Sequence, residues 1–179
     1  MPSTPKPKQP KPTAAHRRLN VFIGNWHAEG TSYGDGQDVA HQRAAGAPWT
    51  SDESYEWLPG KFFILHRWDA MAGKHEFKGA EIIGYDEAKA SYFTRLFDTA
   101  GNHPEYRASV DGDVWNFKEP QTHATVTVQG GGSKMSFKWE WKNGGSDWLP
   151  LCDQVASRTQ RASPPGRMTF LTQEKSSWH

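Results

Sequence analysis

Cysteine is almost missing from this chain. Cys152 is the single one in 179 residues, so no internal disulfide can form, and a reducing cytoplasm is the expected setting. Cys152 itself reads as a buried structural thiol, because no partner motif surrounds it. Long apolar runs are missing too. No stretch approaches the roughly 18 consecutive apolar residues of a membrane helix, and the Lys- and Pro-containing start lacks the apolar core of a secretory signal. No membrane partner is therefore expected. There is no G-x-S-x-G nucleophile turn. Gly130-Gly131-Gly132 joins two strand-like segments without opening a helix, so it is not read as a phosphate cradle. Eight histidines occur, but none with H-x-H or H-x-x-x-H spacing, and neither metal nor cofactor is expected.

What is present is aromatic. Only 35% of the residues are hydrophobic, and mean hydropathy is −0.83, yet 13% are Phe, Trp or Tyr and nine are Trp. Few but very large apolar side chains suit a barrel, whose interior rings span a lumen. The length fits one domain with a sizeable core. Net charge is +1, but residues 1–18 carry +5 and residues 158–179 carry +3, which leaves −7 on the body. An acidic body lacks the contiguous basic face that phosphates need, so no nucleic-acid partner is expected.

Residues 1–13 hold five prolines and three lysines and read as a disordered tail. Ala14 to Ile23 reads as a short helix that ends at Gly24 and caps one end of the domain. Gly24-Asn25-Trp26 then opens the first strand, with the Trp ring placed to plug the closed end of a barrel and Gly30 placed to let the strand bend. Turn signals follow at short intervals, among them Gly34-Asp35-Gly36, Pro59-Gly60, Ala72-Gly73, Gly101-Asn102, Asp111-Gly112 and Asn143-Gly144-Gly145. The expected fold is an all-β antiparallel barrel of about ten strands over residues 14–158, with 159–179 as a second tail.

Alternation assigns faces, since neighbouring side chains on a strand point to opposite sides. In 49–57, Trp49, Ser51, Glu53, Tyr55 and Trp57 oppose a wholly polar set, so Glu53 turns inward with the aromatics. In 62–69, Phe62, Ile64, His66 and Trp68 face inward. In 91–97, Phe93 and Phe97 flank Arg95 on the face taken as inward. Trp115 with Phe117, and Phe137 with Trp139, continue the wall. Strands 76–85 and 147–157 are ambiguous, and Glu81 is a further candidate for the lumen. The resulting constellation is Glu53, His66 and Arg95 as polar or catalytic groups, with Tyr55, Trp57, Trp68, Glu81, Phe93, Trp115, Phe137 and Trp139 as ligand-binding residues. Buried charges must pair, so these groups form either a polar hook in an apolar pocket or ion pairs at its rim. A single bulge would reverse the faces of every later residue on its strand.

Several segments carry a resemblance. Gly24-Asn25-Trp26, Glu53-Ser54-Tyr55-Glu56-Trp57-Leu58-Pro59-Gly60, Ile83-Gly84-Tyr85-Asp86 and Phe97-Asp98-Thr99-Ala100-Gly101 resemble a bacterial family of lipocalin-like (calycin) barrels of uncharacterised function. The resemblance covers roughly Arg17 to Arg158. It implies an up-and-down barrel with a cavity and brings no catalytic residues. The chain is more distantly similar to the nitrobindins, whose G-x-W-x-G-x-G opening is matched at Gly24, Trp26 and Gly30 but not at Ala28. Their haem-ligating late-strand His has no counterpart between His123 and His179. The expected function is binding of a small, largely apolar or aromatic molecule. The alternatives are a cavity isomerase, cyclase or hydratase that uses Glu53 or His66 as acid/base, and haem binding. A homodimer stays open.

Overall fold

The computed structural model describes residues 9–34, 39–142 and 144–159. Of the expected tails at 1–13 and 159–179, residues 1–8 and 160–179 lie outside the described residues, while Thr159 ends the last strand. Ten strands form a closed antiparallel barrel in which every strand pairs with its sequence neighbours and the last returns to the first. They are β1 (Gly24–Ser32), β2 (Ala47–Trp57), β3 (Phe63–Ala72), β4 (His75–Asp86), β5 (Ser91–Asp98), β6 (Glu105–Asp111), β7 (Val114–Lys118), β8 (Thr122–Gln129), β9 (Lys134–Trp141) and β10 (Leu149–Thr159). Closure removes the exposed edges that an open ten-stranded sheet would present.

The helix expected over Ala14–Ile23 is a five-residue α1 (Ala14–Arg18) followed by a 3-10 turn at Leu19–Val21. Five residues cannot hold a helix by themselves, so tertiary contacts hold it. The Thr13 N–H donates to His16 Nδ1 at 3.1 Å, and the Tyr92 hydroxyl donates to the Ala15 carbonyl at 3.0 Å. Leu19 and Phe22 are buried beneath it, and the segment closes the barrel end where β2, β4 and β10 finish.

Trp26 does plug that end. Its Nε1 donates to the Phe22 carbonyl at 2.8 Å, and the Arg158 guanidinium lies over its ring at 4.3 Å. Arg158 also donates to the carbonyls of Val21, Ile23 and Gly132, tying the last strand to the start of the first. Gly24 lies beside this guanidinium with φ +131°, a backbone conformation that residues with a side chain rarely adopt. The rings of Phe22 and Tyr92 each meet Trp115 edge to face, 4.9 Å between centroids, which extends the plug into a solid apolar floor.

The inward faces of β2, β3, β7 and β9 are those the alternation predicts. On β5 the parity is the reverse of the expectation. Tyr92, Thr94 and Leu96 face the lumen, while Phe93, Arg95 and Phe97 face out. The outer aromatics have a local cause: Gly84 lacks a side chain, and Phe93 packs over it toward Phe63, 6.3 Å away.

Candidate functional site

Above the floor the barrel is hollow. A cavity of about 860 Å³ opens toward the end opposite α1, where Asp98, His103, Glu119 and Trp141 stand near the mouth. Its size is that of a small-molecule cleft, roughly 300–1,000 Å³. Trp49, Trp68, Phe77, Tyr106, Phe137 and Trp139 supply much of its apolar wall.

Three adjacent strands build its polar centre. His66 on β3 stands directly opposite Tyr55 on β2 and opposite Glu81 on β4. Direct cross-strand neighbours lie close enough for side chains to meet, and the imidazole stacks flat on Tyr55, 3.8 Å between centroids and 6° between planes. His66 Nδ1 lies 2.8 Å from Glu81 Oε1. His66 Nε2 lies 3.2 Å from Glu53 Oε2, yet the two do not align as a hydrogen bond, so this is an ion pair. Glu53 is otherwise well held: Ser51 Oγ donates to Oε1 at 2.7 Å, and the Tyr55 hydroxyl donates to Oε2 at 3.0 Å. Trp68, across from Gly79 on β4, lies where a Cβ at that position would come within 2.0 Å of its ring. Gly79 thus makes room for the indole beside His66.

Electrostatics follow from this packing. Burial favours the neutral imidazole, but the two carboxylates outweigh it and lift His66 to about 9. Burial likewise disfavours an ionised Glu53, yet His66, Ser51 and Tyr55 hold its carboxyl below the usual range. Burial pushes the Tyr55 phenol up, helped by the charges of Glu53 and Glu81. At neutral pH the centre is an imidazolium between carboxylates. Burial also pushes the Cys152 thiol up to about 12, which leaves it un-ionised and poorly nucleophilic.

The expected site residues divide into three groups. Glu53, Tyr55, His66, Trp68, Glu81, Phe137 and Trp139 all line the cavity. Trp115, 1% exposed, is packed below it in the floor, and Trp57 sits at the closed end with Nε1 donating to Asn20 Oδ1 at 2.9 Å. Arg95 and Phe93 are on the outside of the barrel, where Arg95 pairs with Glu105. Arg95 therefore contributes nothing inside the lumen, and the expected guanidinium is absent from the constellation.

Sequence reasoning missed three polar members. Ser51 shares the inward face of β2 with Glu53, and the alternation there already placed it. Thr94 lies on the β5 face that was read as outward. Gln154 lies on β10, where a register shift between Pro150 and Cys152 breaks the alternation. Thr94 and Gln154 share a property with His66. Thr94 Oγ1, Gln154 Oε1 and His66 Nε2 are buried without a hydrogen-bond partner among the described residues, and all three residues line the cavity. Among the described residues no group of three or more His, Cys, Asp or Glu is placed to hold a metal ion, and no helix is long and apolar enough to cross a membrane.

The S-type phycobiliprotein lyase CPES of Guillardia theta superposes with a TM-score of 0.53 at 11% identity, covering 84% of this chain and 95% of that one. The zebrafish ileal bile acid-binding protein, in complex with cholic acid, superposes with a TM-score of 0.42 at 14% identity, covering 78% and 99%. Among curated proteins, none matches the chain in sequence. Residues 11–143 match the DUF1579 family, described as a protein of unknown function. That match runs from the segment before α1 through β9, taking in the floor and most of the cavity wall, and on this ground the chain belongs to the DUF1579 family.

Proposed function

We propose that this protein binds a small, largely apolar or aromatic molecule inside the barrel, anchored by the centre made of Glu53, His66 and Glu81. One observation carries the reading: Thr94 Oγ1 and Gln154 Oε1, buried without a hydrogen-bond partner among the described residues, sit on residues that line a single aromatic-walled hollow. Leaving a buried donor or acceptor unmatched costs roughly 1–3 kcal/mol each, a cost that a ligand with complementary groups would offset. The enzyme alternative is weaker. A general base must be unprotonated at working pH, and His66, lifted to about 9, is an acid at neutrality. Glu53, held below the usual carboxyl range, is a poor base. No Lys or Arg is among the described residues lining the cavity, so no permanent cation stands there to stabilise developing negative charge. The fold does not decide between the two, because the similar phycobiliprotein lyase is named as an enzyme. Haem binding is weaker still, since both nitrogens of His66 already face carboxylates.

The test is fluorescence titration with Nile red, a neutral apolar probe. Wild type is expected to give saturable, blue-shifted emission. Leu96→Trp, which fills the cavity, is expected to weaken binding by about tenfold or more. Phe97→Ala, one residue away on the outer face, is expected to leave it unchanged. Equal effects of the two substitutions would sink the proposal.

A further inference from the structure

The ionisable groups around the cavity are strongly unbalanced. Glu53 and Glu81 lie at its centre, and Asp98 and Glu119 lie near its mouth, while the described lining contains no Lys or Arg. The one cationic group at the centre, His66, is already shared by Glu53 and Glu81. Glu53 is satisfied by Ser51 and Tyr55, and Asp98 accepts from the backbone of Ala100 and Asn102. Glu119 accepts from the Gln121 N–H. Glu81 differs from them: among the described residues His66 is its sole hydrogen-bonding partner, and its side chain is 15% exposed to the hollow. The negative field reaches across the lumen, because the Tyr106 phenol is pushed up first by burial and then by Glu119 and Glu81. The acidic residues do not stand alone as evidence of a site. Thr94 Oγ1 on β5 and Gln154 Oε1 on β10, on residues 1% and 8% exposed, have no hydrogen-bond partner among the described residues and line the same hollow from opposite sides of the barrel.

Resting on the binding function proposed above, we infer that the ligand is an organic cation, an aromatic or polycyclic molecule bearing a protonated amine that is directed to Glu81. The surrounding indole and phenyl faces of Trp68, Trp139 and Phe77 favour such a charge, since a cation is attracted to the negative face of a ring. Its N–H groups would serve Glu81 and, on the adjacent strand β5, the Thr94 hydroxyl. A carboxylate or phosphate would meet two central carboxylates with only one imidazolium between them, and like charges at short range select against it.

The experiment is a displacement series at neutral pH. N-phenyl-naphthylamine, a neutral fluorophore, occupies the cavity and is competed by naphthylmethylammonium, naphthylmethanol and naphthoate, which share one ring system and differ in charge. The ammonium is expected to bind about tenfold or more tighter than the carboxylate, with the alcohol between them. Glu81→Gln is expected to reduce ammonium affinity about tenfold and leave the alcohol within about twofold of wild type. If fluorophore and alcohol bind but the carboxylate equals or exceeds the ammonium, the charge inference is overturned and the binding function stands. An ammonium preference unchanged in Glu81→Gln, with circular dichroism showing the fold retained, overturns Glu81 as the anchor. If neither the fluorophore nor the alcohol binds, the cavity-binding function itself falls.

Discussion

The two ends of this barrel obey different rules. At the α1 end, Leu19, Phe22, Trp26 and Trp115 are almost wholly buried, and the polar atoms among them are matched: Trp26 Nε1 to the Phe22 carbonyl, Arg158 to three carbonyls. Around the hollow, the wall is as aromatic, yet carboxylates and an imidazole are buried in it, and Thr94 Oγ1 and Gln154 Oε1 have no hydrogen-bond partner among the described residues. The first end is built as a core, with its free energy drawn from packing and satisfied hydrogen bonds. The second retains costs that a folding scaffold alone would have no reason to keep. Matched packing is thus concentrated at the floor and unmatched polar groups around the hollow.

The largest test of this division removes the plug. Trp26→Ala is expected to destabilise the fold by roughly 3–5 kcal/mol, the range for deleting a large buried aromatic, and to orphan the Phe22 carbonyl. Trp26→Phe keeps most of the apolar volume, loses the 2.8 Å hydrogen bond, and is expected to cost roughly 1–2 kcal/mol. Urea unfolding followed by far-ultraviolet circular dichroism reads both. If the folded variants bind Nile red as wild type does, the floor and the recognition wall are separable. A loss of affinity larger than the loss of stability would unite them.

A smaller effect comes from the polar centre of the hollow. His66 is lifted from an ordinary 6.5 to about 9 in the folded chain, so the folded state binds the proton more tightly than the unfolded one. Its contribution is fully present below pH 6.5 and is lost as pH rises through about 9. The loss amounts to roughly 3 kcal/mol, at about 1.4 kcal/mol per pK unit. Glu53 acts in the opposite sense: its carboxyl is held below the ordinary 4.5, so its contribution is present above that value and falls away in acid. The groups facing His66 are Glu53, Glu81, Tyr55 and Trp68. Stability measured by urea midpoint should therefore fall between pH 6.5 and 9 in wild type. His66→Gln should flatten that slope while leaving the closed end intact. An equal slope in both proteins would assign it elsewhere.

The sequence made the walls more legible than the contacts between them. Polar–aromatic alternation over 49–57 and 62–69 was clean because the outer faces of β2 and β3 carry Asp52, Ser54, Glu56, Arg67 and Asp69. Glu53 and His66 were thus placed correctly on the lumenal side. That His66 meets Glu81 and Tyr55 depends on strand register, which one strand's pattern does not contain. On β5, hydrophobicity pointed the wrong way, because the barrel's outer surface keeps a Phe63–Phe93 pair over Gly84. On β10, the irregularity between Pro150 and Cys152 hid Gln154 from any period-two reading.

The smallest expected effect sharpens the comparison within one strand. Arg95 and Thr94 are consecutive on β5 and face opposite ways. Arg95 pairs with Glu105 on the outer surface, with side chains 60% and 50% exposed, and solvent screens such pairs heavily. Arg95→Ala should shift Tm by less than about 2 °C and leave probe affinity unchanged. Thr94→Val removes a buried hydroxyl that has no hydrogen-bond partner among the described residues, in nearly the same volume, so stability should hold or rise slightly. The same change takes a polar contact from the lumen, so affinity for naphthylmethylammonium should fall by a few-fold. Differential scanning fluorimetry with the displacement series measures both quantities. A weaker probe affinity in Arg95→Ala than in Thr94→Val would reverse the assignment of inner and outer faces and, with it, the distinction between a surface that solvates the barrel and a wall that selects its ligand.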